Sequence, residues 1–319
     1  MKTSTRIWLT ISAILIAVGI GVIVVALAMN HWNLSTLGGQ KTVTNNYEFH
    51  DNIENISIDA NTTDIVFLPS DNGNCKVECY EREKQLHEVT LSGGTLYITA
   101  KDERKWYENV LTFSFSSPEV KIYLPKDSYD RLDVKCDTGD VTIPKVFSFY
   151  AVNINLSTGD ISCHASATKL NLTTSTGKIT LGDLTADTID IKNTTGNRTL
   201  RNVTAEDITL DASTGDTTLT NVTAKALTSK ASTGDLTMNN VIVENKFTAK
   251  TSTGHVRFTD CDAAEISIRT DTGKVSGTLL SEKVFHAKSD TGKIDVPKTI
   301  TGGLCEIETD TGNISVRIK

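Results

Sequence analysis

Aromatic residues are scarce in this chain of 319 residues, at 6%, and proline occurs only five times. A core built mainly on large rings, which carry most buried area per side chain, is therefore excluded. A strong excess of one charge is also missing: 39 acidic residues face 32 basic ones, a formal net charge of −7. That balance argues against a nucleic-acid binder, which needs a concentrated basic surface to displace phosphate counterions. Beyond the N-terminus no stretch shows the 3.6-residue apolar period of a helix. The six histidines (His31, His50, His87, His164, His255 and His286) form no HxH or HExxH pattern. The six cysteines (Cys75, Cys79, Cys136, Cys163, Cys261 and Cys305) fit neither zinc-ligand spacing nor a disulfide framework. Neither a metal nor a cofactor is expected on this ground.

What is present begins with an uncharged run from Ile7 to Met29. At about 1.5 Å per residue its 23 residues reach about 34 Å, enough for a ~30 Å hydrocarbon layer. Lys2 and Arg6 precede the run, and no basic residue follows before Lys41. The positive-inside bias then leaves the N-terminus in the cytoplasm and residues 30–319 outside the cell membrane. Cleavage after Ala26-Leu27-Ala28 is the alternative; the run is long for a signal peptide, and both readings export the remainder. Residues 1–30 are read as cytoplasmic tip and single-pass anchor, and 31–46 as a polar linker with Gly38-Gly39.

A Thr-Gly pair then recurs at Gly139, Gly159, Gly177, Gly196, Gly215, Gly234, Gly254, Gly273, Gly292 and Gly312, spaced by 18–20 residues. Each unit has one grammar. An alternating strand such as Ile189-Asp190-Ile191 leads to Ser or Asp, Thr and Gly, then often Asp, Lys or Asn. A second alternating strand follows, such as Ile179-Thr180-Leu181 or Ile294-Asp295-Val296. Period-two alternation puts one face in and one face out. The Thr-Gly quartet reads as a turn whose glycine supplies positive φ. A further apolar point falls seven residues after most glycines, at Leu184, Val203, Val222, Val241, Cys261 and Leu280.

Nineteen residues are too few for a βαβ unit, which needs about thirty. One unit alone also buries too little to offset its conformational entropy. Stacking is required, and the expected fold is an all-β parallel β-solenoid of about ten rungs, each about 4.8 Å thick. Residues 131–319 form the regular part, and 47–130 its irregular opening coils. Ile56 to Phe67 fits the unit with Thr63 in the glycine place, and Val89 to Ile98 fits loosely. Lys101 to Asn109 reads as a charged excursion.

These [Ser/Asp]-Thr-Gly-[Asp/Lys/Asn]-aliphatic units, with the Ile56–Phe67 pattern, resemble the bacterial putative-adhesin family of domains of unknown function, the LiaG-like group. The resemblance spans about residues 47–319. It implies surface exposure and adhesion, and carries over no catalytic residue.

The sequence supports a membrane-anchored, extracytoplasmic, non-catalytic scaffold that contacts envelope glycans or proteins. An accessory role in an envelope stress system and a glycan-active enzyme are the alternatives. Asp137, Asp140 and Asp160, with Asp216 and Asp235, are the acidic turn residues that calcium or paired-carboxylate chemistry could use, and the least regular region, 70–119, is where a catalytic site would otherwise hide. Solvated turn charge is the plainer reading, because Lys178, Lys274 and Lys293 share the same column. Cys75 and Cys79, about 13 Å apart on a strand, cannot bridge. Buried thiols are expected throughout, with a Cys136–Cys163 pairing across adjacent rungs left open. The threonines before the glycines are expected to form hydroxyl ladders.

Overall fold

The computed structural model describes residues 3–29, 42–102 and 118–319. Helix α1 spans Thr3–Met29, where the anchor is expected. Counted over the described side chains, which are interrupted along α1, no helix is long and apolar enough to cross a membrane. Of the charged excursion, Lys101 and Asp102 end a strand and residues 103–109 lie outside the described residues.

The rest is strand. The opening strands are β1 (Thr42–Phe49), β2 (Asn55–Thr62), β3 (Asp64–Pro69), β4 (Cys75–Arg82), β5 (Gln85–Ser92), β6 (Thr95–Asp102) and β7 (Glu119–Leu124). The regular stack holds β8 (Ser128–Thr138), β9 (Val141–Ile143), β10 (Ser148–Thr158), β11 (Ile161–Cys163), β12 (Ser166–Thr176), β13 (Ile179–Thr195), β14 (Arg198–Thr214), β15 (Thr217–Thr233), β16 (Leu236–Thr253) and β17 (Val256–Thr272). The final strands are β18 (Val275–Leu279), β19 (Lys283–Thr291), β20 (Ile294–Asp295), β21 (Gly303–Thr311) and β22 (Ile314–Ile318).

From β8 onward every pairing is parallel and in repeat register, as in Leu132↔Val152 and Val152↔Leu170. This is a parallel β-solenoid of about ten turns. Between β13 and β14 the ladder skips Asp183, Asp187 and Thr194, so a coil has three sides separated by corners. Inward aliphatics such as Ile189, Ile208 and Leu227 are buried and stack in columns, which makes one continuous dry interior.

The glycine column has two causes. Seven of the regular corner glycines, from Gly139 to Gly254, sit at φ +135 to +159. In addition, a methyl on any of them would overlap the carbonyl oxygen of the corner below. In several coils that carbonyl is capped from inside by a polar residue three before the next glycine. Thr174 Oγ1 donates to Gly159 O at 3.2 Å, Asn193 Nδ2 to Gly177 O at 2.8 Å and Thr270 Oγ1 to Gly254 O at 3.1 Å. The Thr-Gly pairs are tied through the backbone, each glycine N–H donating to the threonine carbonyl of the next coil, as in Gly196 to Thr214 at 3.0 Å. Within the threonine column, Thr291–Thr311 at 3.3 Å is the hydroxyl-to-hydroxyl bond among the described residues. The expected hydroxyl ladder is thus largely replaced by main chain.

Variation in repeat length also has a place. The 20-residue step to Gly254 comes from one extra residue at Glu244-Asn245, where the ladder shifts register. The 18-residue step to Gly177 comes from one residue fewer between Cys163 and Ala167. Near the end, Leu279 rather than Leu280 pairs with Cys261; Leu280 is exposed.

Both ends depart from simple stacking. At the C-terminal end, β17 pairs with β21 and β18 with β22, while β19 and β20 pair onto the outer side of β21 and β22. The last coil in sequence therefore sits inside the one before it. The N-terminal end mirrors this: β2 lies between β6 and β8, and β3 between β7 and β9. Thr63 thus takes a corner directly below Gly139, as its sequence position suggested. Beyond β6 and β7 the edge is closed by antiparallel strands, β5 on β6 and β4 with β1 on β7. The segment Val89–Ile98 is accordingly a hairpin and not a repeat. Gly93 and Gly94, at φ +56 and +75, form a two-residue turn that suits the strand twist. Strand β1 also begins at Thr42, inside the segment expected to be linker.

Candidate functional site

Two grooves open on the outer surface of β8, β10 and β12. Outward positions alternate with buried ones along these strands, so neighbouring coils present like residues at like height. One open groove of about 450 Å³ is lined by Ser128, Asp130, Ser148, Tyr150, Ser166, Thr168, Thr185 and Asp187. Tyr150 is 59% exposed, and the Lys169 ammonium lies 5.9 Å from its ring centre. A few residues further along the same strands, a second groove of about 360 Å³ is lined by Asp59, Asp133, Lys135, Asn153, Asn155, Asn171 and Thr173. Its floor is an amide ladder: Asn171 Nδ2 donates to Asn153 Oδ1 and Asn153 Nδ2 to Asp133 Oδ1, each at 2.8 Å. Burial pushes the Asp133 carboxyl up, but hydrogen bonds from Arg131 and Asn153 outweigh it and hold the group below its usual range. The surface offers one exposed ring beside rows of hydroxyl, amide and carboxylate groups. That combination suits stacking and multiple hydrogen bonding to a polar polymer.

The acidic turn residues have a different task. Where the residue after the glycine is Asp, Asn or His, its side chain accepts the backbone N–H of its counterpart in the adjacent coil; Lys178, Lys274 and Lys293 only donate. Asp140 Oδ1 takes Asp160 N at 2.7 Å, Asp160 Oδ1 takes Lys178 N at 2.6 Å, and Asp216 Oδ1 takes Asp235 N at 2.8 Å. His255 Nδ1 does the same for Lys274 N at 2.8 Å. Asp, Asn and His interchange in this column because each supplies an acceptor. Asp137 lies two residues before Gly139, away from that ladder, and is exposed. Among the described residues these aspartates form no three-ligand metal cluster. Every described carboxylate with a shifted pKa is shifted down, including Asp133, Asp183, Asp235 and Asp260. A glycan-cleaving general acid needs the opposite shift.

A second corner column escaped the sequence reading. Asp183, Asn202, Asn221, Asn240 and Asp260 all have φ between +53 and +55. Their side chains form a ladder: Asn202 to Asp183 at 2.8 Å, Asn221 to Asn202 at 2.9 Å and Asn240 to Asn221 at 3.0 Å. Each stands six residues after a corner glycine, just before the apolar point already noted. The signal was therefore legible one position upstream.

All six cysteines are free and buried. Burial pushes the thiols of Cys75, Cys163 and Cys305 up to about 12; at Cys79 burial and the nearby Glu81 do the same. Cys136 pairs in register with Leu156, and Cys163 with Ile143 and Leu181, which removes the Cys136–Cys163 bridge. His87 is not a solvated side chain. It is buried against Glu81, Nδ1 to Oε1 at 2.8 Å, with Cys79 beside them.

Comparison with solved structures shows the same fold at low identity. A putative lipid binding protein from Parabacteroides distasonis is 15% identical, with 76% of this chain and 98% of that chain covered and a TM-score of 0.50. Putative adhesins from the same organism and from Bacteroides fragilis are 14% and 16% identical, cover 87% and 88% of this chain and 98% of theirs, and have TM-scores of 0.49 and 0.44. A search of curated proteins gives no match. The family description Toastrack DUF4097 matches residues 53–221 and 204–319, nearly all of the solenoid. With the Thr-Gly corners, the parallel register and this match in agreement, the chain belongs to the Toastrack DUF4097 family, as its resemblance to the putative adhesins implied.

Proposed function

We propose that this protein is an extracytoplasmic, non-catalytic interaction scaffold, held to the cell membrane by its N-terminal segment, which grips envelope glycan through the β8–β10–β12 side. The observation that carries the reading is the exposed Tyr150 ring at a coil corner, lining one polar groove with a second a few residues further along the same strands. Stacked coils repeat similar groups at a spacing of about 4.8 Å. A polymer can then engage several weak contacts at once, which raises avidity without a deep pocket. The non-catalytic reading is supported by the turn aspartates, whose oxygens are taken up by backbone N–H groups. Attachment is supported by the uncharged sequence from Ile7 to Met29 and by Lys2 and Arg6 before it.

Two measurements test this. A membrane-impermeant amine-reactive label added to intact cells is expected to modify exposed solenoid lysines such as Lys135 and Lys192; labelling only after lysis would refute the outward topology. Full-length protein in detergent is expected to bind purified cell-wall glycan. Tyr150→Ala should weaken that binding about tenfold, a loss of about 1.4 kcal/mol. Thr218→Ala, on another side of the coil, should leave it unchanged. Equal binding by wild type and Tyr150→Ala would remove this face from consideration.

A further inference from the structure

The antiparallel strands that close the N-terminal end hold a cluster that the interaction surface does not use. On β4, Cys79 and Glu81 stand two residues apart and both point inward; His87 on β5 meets them from across the β4–β5 hairpin. All three are buried, Glu81 completely. One ligand atom from each, a thiol sulfur, a carboxylate oxygen and a ring nitrogen, lie within 4.8 Å of one another.

We propose that Cys79, Glu81 and His87 form a zinc site that ties β4 to β5 at the end of the solenoid. Two features of the geometry carry this. The first is the donor set. One sulfur, one nitrogen and one oxygen suit a borderline-soft divalent ion, and with a water they complete a tetrahedron. The second is spacing. Around an ion with bonds of about 2.0–2.3 Å, ligand atoms sit about 3.3–3.8 Å apart. The ligand nitrogen is His87 Nδ1, and its contact with Glu81 Oε1, now 2.8 Å, needs only a small opening to reach that distance.

The surroundings fit an outer shell. Asn45 on β1 donates from Nδ2 to Glu81 Oε2 at 2.7 Å, and the His87 backbone N–H donates to Glu81 Oε1. Tyr47, also on β1, donates its hydroxyl to His87 O at 3.2 Å. Such contacts orient ligands and tune their basicity. On binding, the Cys79 S–H bond gives way to a zinc–sulfur bond and the proton leaves to solvent. No oxidant or reductant is involved.

The alternative is a buried Glu81–His87 ion pair with a bystander thiol, and spectroscopy separates the two. Purified full-length protein, stripped with chelator, is titrated with cobalt(II) as a probe for zinc. One equivalent per chain is expected to give tetrahedral d–d bands and a thiolate-to-cobalt charge-transfer band, both displaced by zinc. Cys79→Ser should lose the charge-transfer band, and His87→Gln should weaken cobalt binding at least tenfold. Cys75→Ala, four residues away on the same face of the strand, should retain both the band and the affinity. Absence of the charge-transfer band in the wild type, or its persistence in Cys79→Ser, overturns the proposal. The wild-type titration decides even if a variant fails to fold, and its result is independent of glycan binding at Tyr150.

Discussion

A methyl group placed on Gly159 would overlap the carbonyl oxygen of Gly139, and the same holds for each successive corner. The glycines are thus required by the coil below as well as by their own φ. Gly215→Ala tests this. Positive φ for a residue with a side chain costs about 1–3 kcal/mol, and overpacking against backbone adds about 1–3 kcal/mol. A loss of about 2–6 kcal/mol in urea unfolding is expected. Gly73, at φ +77 with open space where its Cβ would be, isolates the first cost. Equal losses for Gly73→Ala and Gly215→Ala would show that the stacking contact contributes nothing.

The asparagine ladder makes a second prediction. Asn221 bonds the amides above and below it while holding φ +54. Asn221→Ala removes two bonds worth about 0.5–1.5 kcal/mol each and leaves a side chain poorly suited to that φ. Asn221→Gly removes the same bonds but relieves the backbone. Alanine should therefore be the more destabilising change by thermal unfolding. The reverse order would mean that the positive φ, and not the ladder, has no influence on stability at that corner.

How far the sequence could be read depended on periodicity. The Thr-Gly spacing carried the stack, the register and the inward face, because each repeats in every coil. Features that occur once were hidden. Arg198 stands where other coils carry Ile179, Val256 or Val275, and nothing in its neighbourhood announces a buried guanidinium. The cluster at Cys79, Glu81 and His87 depends on a hairpin that brings β5 back against β4, and spacing along the chain does not show it. The exchanged order of the terminal coils was equally invisible, since a coil stacks as well on either neighbour.

Arg198 itself is fully buried. Its Nη2 donates to Gly215 O at 3.0 Å, while Nε and Nη1 have no partner. Burial holds the guanidinium down to about 10 despite Asp211 and Asp216. Replacing a poorly compensated buried charge with an apolar side chain of similar length generally stabilises. For Arg198→Met the lost bond to Gly215 offsets part of this, leaving an expected net gain of about 1–3 kcal/mol. A lower urea midpoint for the variant would show that the guanidinium is better satisfied than its contacts indicate.

The thiols set an alkaline limit. Cys163 ionises near 9 when unfolded and near 12 in the fold, held up by burial. Below pH 9 both states keep the proton and the thiol has no effect. Between 9 and 12 the unfolded chain loses it first, so stability falls as pH rises, by about 1.4 kcal/mol per pH unit for each such group. Cys163→Ala should be less stable at pH 7 through lost packing, yet lose less on going to pH 10.5. Parallel pH profiles for the two proteins would count against a buried, protonated Cys163.

The exchanged terminal coils make the sharpest distinction between this fold and a simple stack. In a simple stack, deleting residues 300–319 would remove one end coil and leave a shorter rod intact. Here that deletion removes β21 and β22, the layer between β17–β18 and β19–β20. The remaining β19 and β20 would lose all their described strand partners, and Val275 and Ile266 would lose the side chains stacked on them. The crossover also carries a buried ion pair, Lys283 Nζ to Asp262 Oδ1 at 2.7 Å, which fixes where β19 leaves the stack and opposes its collapse inward. Limited proteolysis of the deletion protein should therefore cut within 283–295 while residues 128–272 stay resistant. In the full chain the same segment should resist. If β19 stayed protected after the deletion, it would have to pair directly with β17, and the order of coils described above would be wrong.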